Sequence, residues 1–81
     1  MSKRDKLIQK IFEVNSDVTP DEAAKILEML DFRAATTGGS HRTFRKPDRP
    51  SVTLVLTQNP LKPYLLEKLQ EALKNEGYQN D

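Results

Sequence analysis

The sequence predicts an α+β domain: a three-stranded antiparallel sheet with helices packed on one face, in the order α-α-β-β-β-α. Three observations lead there. Apolar residues recur with a helical period up to residue 30 and again after residue 63. Between these segments the period falls to two, in three short runs bounded by glycine or proline. The links between the runs are short, and consecutive strands joined this way most simply form an antiparallel meander. With 81 residues the chain makes one small domain, 1–81, with a thin core.

The elements follow in order. Residues 3–14 read as a helix, because Leu7, Ile8, Ile11 and Phe12 fall on one face. "NSDV" breaks that pattern. The next start signal is "TPDE" at 19–22. Thr19 is an N-cap type, Pro20 suits the first helical position, and Glu22 completes a capping box. Val18 and Ala23 flank it as a hydrophobic staple. The helix runs to about Leu30, with Ala23, Ile26, Leu27 and Leu30 as its buried stripe. "FRAAT" at 32–36 is a first strand, Thr37-Gly38-Gly39 a turn, and "SHRTFRK" at 40–46 a second strand. "PDRP" forms a loop, and "SVTLVLT" at 51–57, rich in β-branched residues, is the third strand. Pro63 opens the last helix, whose stripe is Leu65, Leu66, Leu69, Ala72 and Leu73. Gly77 is placed to end it as the C′ residue.

Composition narrows the function classes. The chain has no cysteine, which removes a disulfide framework, a thiol nucleophile and any thiolate zinc site. A small domain without disulfides is expected in a reducing compartment, the cytoplasm. The N-terminal stretch lacks the apolar core of a signal peptide, and the longest aliphatic run, "LVL", is far too short for a membrane span. The net charge of +1 conceals an asymmetry. Residues 33–49 hold five cations (Arg33, Arg42, Arg45, Lys46, Arg49) against Asp48 alone, while both flanking segments are net acidic. A local basic patch of this kind marks either a site for phosphate or nucleic acid or a solvated hairpin.

Strand parity decides which residues share that patch. Phe44, Val52, Leu54 and Leu56 must face the helices, with Phe32 and Ala34 beside them. The open face then carries Arg33, His41, Thr43, Arg45, Thr53 and Thr57, unless a bulge at Gly38-Gly39 shifts the register. His41 is the one histidine of the chain. A lone histidine is most often an ordinary surface residue. As a metal site it has too few nitrogen or sulfur partners, and no cofactor is expected. Ser40 does not converge with it, since adjacent strand residues point to opposite faces. A phosphodiester fits the surroundings better. RNA is cleaved by its own 2′-hydroxyl once a base removes the proton and cations stabilise the charge that develops on phosphorus. Histidine exchanges protons near neutral pH, and arginine grips phosphate oxygens in pairs. A second proton-transfer group is needed: a Lys, a Tyr, an Arg or water.

The stretch "GGSHRTFRKP", followed by "VTLVL" and by "NPLKPYLLEKLQEAL", resembles the HicA family of mRNA-interferase toxins. "LDFRAATTGGSH" is similar to that family's helix, strand and glycine turn. The likeness spans about residues 20–78, leaving the helix at 3–14 outside it. It implies an α-β-β-β-α fold like a double-stranded-RNA-binding domain and metal-independent endoribonuclease activity on mRNA that inhibits translation and growth. It implies His41 as the catalytic residue. The basic surroundings of His41 add Arg33, Ser40, Arg42, Arg45 and Lys46 as expected RNA phosphate contacts. The family likeness also implies a cognate HicB-type antitoxin as partner. Two departures stand out: many members have a second histidine where this chain has Arg42, and Lys-Gly-Ser where it has Gly38-Gly39-Ser40. Two other readings stay open, a non-catalytic RNA-binding module and a protein-interaction domain. A DNA-binding helix-turn-helix is disfavoured by Asp21, Glu22 and Glu28 on the would-be recognition helix.

Overall fold

The computed structural model describes residues 3–13, 17–35 and 39–78. Among the described residues three helices and three strands follow in the expected order: α1 (Lys3–Phe12), α2 (Pro20–Met29), β1 (Arg33–Ala35), β2 (His41–Arg45), β3 (Val52–Val55) and α3 (Pro63–Asn75). Each strand is shorter than its sequence run. The expected ends at Val14 and Thr36, and the Thr37-Gly38 part of the turn, lie outside the described residues. Gly39 has φ of 66°, a conformation in which a side chain is strained.

The strands form an antiparallel meander, ordered β1-β2-β3. Ala34 pairs with Phe44, and Phe44 with Val52; Arg42 pairs with Leu54, and Thr43 with Thr53. Paired residues share a face, so Phe44, Val52 and Leu54 point to one side, and all three are buried. The helices supply the other half of that core: Ile8, Ile11 and Phe12 from α1, Ala23, Ile26 and Leu27 from α2, and Leu65, Leu69, Ala72 and Leu73 from α3. Two inward expectations are corrected. Ala34 lies on the helix side but is exposed, because it sits on an edge strand. Leu56 remains 38 % exposed, because it falls in the turn after β3 rather than under a helix.

Local signals position α2 and α3. The Glu22 amide donates to Thr19 Oγ1 at 3.1 Å, and the Thr19 amide donates to Glu22 Oε1 at 3.0 Å, closing the capping box. Val18 and Ala23 are both fully buried. Burial works against the Glu22 charge, but the Thr19 amide and the Lys10 ammonium 3.0 Å away hold its carboxyl below the ordinary value of 4.5. At the far end of α3, the Gly77 and Tyr78 amides bond to the Lys74 and Leu73 carbonyls. Gly77, with φ of 93°, is the left-handed C′ residue of this Schellman motif. The same pair of bonds ends α2, from Asp31 to Glu28 and from Phe32 to Leu27, with Asp31 at φ of 68°.

Candidate functional site

The sheet face away from the helices carries Arg33, Ala35, His41, Thr43, Arg45, Thr53 and Val55 by register. Its centre is a hydroxyl pair: Thr43 Oγ1 and Thr53 Oγ1 lie 3.0 Å apart. Thr43 is buried there, between Ala35 and Thr53 on the adjoining strands. Arg33 and Arg45 stand directly opposite each other on β1 and β2 and are exposed. Cross-strand partners have Cβ atoms about 4.5–5.5 Å apart, and like charges so placed repel. Among the described residues neither arginine has an ion pair or side-chain hydrogen bond. An anion lying between them would relieve the repulsion and accept bonds from both.

His41 opens β2 and is exposed on the same face, opposite half-buried Val55. Four residue steps of extended chain lead from it to Arg45, about 13 Å at ~3.3 Å per residue. The imidazole and the arginine pair therefore occupy opposite ends of one open surface, with the threonine pair between them.

The other expected phosphate contacts do not gather on that surface. Arg42 points to the helix side, with Leu54 as its partner. Ser40 has the same parity as Arg42, and its carbonyl accepts from the Leu56 amide at 2.6 Å. Lys46 donates to the Leu30 carbonyl at 2.9 Å and pairs with Glu76 Oε1 at 2.9 Å. Arg49 takes the other Glu76 oxygen at 2.8 Å. The basic segment thus divides by role. Arg33 and Arg45 face outward, Lys46 and Arg49 hold the end of α3, and Arg42 borders a groove. Hydrogen bonds from Lys46 and Arg49 keep the Glu76 carboxyl below its ordinary value of 4.5, outweighing the smaller effect of burial.

The chain matches no family model, no curated protein and no solved structure at a significant level. Among the described residues no helix is long and apolar enough to cross a membrane.

The groove beside Arg42 was not apparent from sequence. It has a volume of about 310 Å³ and is lined by Thr19, Pro20, Asp21, Arg42, Leu56 and Asn59. These residues come from three distant stretches of chain, so no local pattern signals them. Val55, the neighbour of His41, is legible in principle: its parity is opposite to that of Leu54.

Proposed function

We propose that this chain is the toxin component of a toxin–antitoxin pair, a metal-independent endoribonuclease that cleaves mRNA through His41. One observation carries the reading: an exposed histidine shares an open, polar sheet face with a cross-strand pair of arginines that have no acidic partner among the described residues. The likeness of "GGSHRTFRKP" to the HicA motif supports the same histidine. In this reaction His41 removes the proton of a ribose 2′-hydroxyl. The 2′-oxygen attacks the adjacent phosphorus, and the bond from phosphorus to the 5′-oxygen breaks. The products are a 2′,3′-cyclic phosphate and a 5′-hydroxyl end. The leaving oxygen takes its proton from a second group: a Lys, a Tyr, an Arg or water. With about 13 Å between Arg45 and His41, the arginine pair holds a flanking phosphate while His41 works on another. Lys46 is engaged by the Leu30 carbonyl and Glu76 within the fold. A HicB-type antitoxin would neutralise the toxin in the cytoplasm by covering this face.

The test is incubation of the purified chain with a long unstructured RNA, with and without EDTA, beside His41→Ala. EDTA-resistant cleavage by the parent chain, lost in a variant with an unchanged melting curve, is the expected result. Salt-sensitive RNA binding without products would instead support a non-catalytic RNA-binding module. Growth arrest persisting with a stably folded His41→Ala variant would overturn the proposal.

A further inference from the structure

The groove at the start of β2 combines opposite charges that do not pair. Asp21 and Arg42 line the same depression, yet among the described residues neither makes an ion pair or a side-chain hydrogen bond. The carboxylate only accepts hydrogen bonds and the guanidinium only donates them. Leu56, one of two large apolar side chains left exposed among the described residues, adds an apolar wall. The volume of about 310 Å³ falls at the small end of the range for organic ligands, about 300–1,000 Å³. The place of the groove on the chain is equally pointed. Arg42 follows His41 directly, and the two side chains lie on opposite sides of the same strand end. An RNA strand crossing that end presents a phosphodiester to one side and a base to the other.

Building on the reading of His41 as the ribonuclease base, we infer that this groove is a base-binding subsite that takes guanine next to the scissile phosphodiester. Guanine has two adjacent acceptors, O6 and N7, which arginine reads with both of its donors. It also has two adjacent donors, on N1 and N2, which one carboxylate accepts together. Adenine turns an acceptor toward the carboxylate, and neither pyrimidine has both pairs. A wrong base thus loses the bidentate bonds to one of the two charged groups, each worth about 1–3 kcal/mol of discrimination. Single-stranded RNA is commonly read in this way, by splayed bases bonded along their Watson–Crick and Hoogsteen edges.

The experiment has two arms. In the first, unstructured RNAs differing only in the position of guanine are treated with the parent chain, Asp21→Asn and Arg42→Gln, and the cut sites are mapped. Cleavage beside guanine is expected, with the preference lowered roughly tenfold in each variant, as loss of one bidentate base contact implies. Cleavage without guanine bias, or a bias unmoved by both variants, overturns the subsite. In the second arm the four nucleoside monophosphates are titrated into folded His41→Ala and backbone amide shifts are followed by NMR. Guanosine monophosphate alone should move the amides of residues 19, 21, 42 and 56. An equal response to all four, or none, overturns the subsite. If the parent chain cuts no RNA, the ribonuclease reading falls, and the nucleotide titration decides the groove independently.

Discussion

Asp31 shows how much one residue's backbone decides. It occupies the left-handed region that ends α2, where glycine ends α3. That conformation costs an L-residue about 1–2 kcal/mol. Glycine would remove the strain and add about 0.4–1 kcal/mol of unfolded-chain entropy to be lost. Asp31→Gly should therefore stabilise the fold by about 0.5–1 kcal/mol, read as a thermal midpoint higher by roughly 2–8 °C. An unchanged or lower midpoint would mean that the aspartate side chain supports this turn in another way. His41 and Arg42 make a complementary point. They are neighbours in sequence and point to opposite faces of a sheet, so two adjacent residues become two separate chemistries in the fold.

Among the elements, the β2–β3 connection and α3 are joined by charge. Lys46 and Arg49 both grip Glu76, and Lys46 also donates to the Leu30 carbonyl at the C-terminal end of α2. Glu76 is held below its ordinary value of 4.5 in the folded chain, as is Glu22 in the α2 capping box. For a depressed carboxylate the stabilisation is present above the unfolded value and is lost as pH falls through the folded one. Thermal stability should hold above about pH 5 and decline as the pH is lowered through 4 and below. The double variant Glu22→Gln, Glu76→Gln should melt lower at neutral pH and show a flatter acid limb. An acid limb as steep as that of the parent would assign the loss to other carboxylates. The capping box itself was legible because it lies within four residues. The Glu76 clamp was not, because its partners lie 30 and 27 residues away in sequence.

For the whole molecule, the first helix matters although it lies outside the family likeness. In the fold it is part of the core: Ile8, Ile11 and Phe12 are buried, and Gln70 of α3 donates to the Ile11 carbonyl at 3.0 Å. A chain starting at Asp17 should lose cooperative folding, seen as a broad, low thermal transition by circular dichroism. Burying each of those side chains is worth about 1.5–3 kcal/mol, against a total stability of about 5–15 kcal/mol for a whole domain. A sharp transition near the parent midpoint would show α1 to be dispensable. The amino-acid sequence by itself determined the element order, the helix starts, the buried stripes and the side of the sheet on which His41 lies. These depend on period, parity and capping, which act over a few residues. Only the tertiary structure decided which cations remain available to a ligand. It drew Lys46 and Arg49 to Glu76 and left Arg33 opposite Arg45. It also brought Asp21 and Leu56 into one groove with Arg42. Such pairings depend on distance in space between side chains far apart along the chain, which a local pattern does not encode.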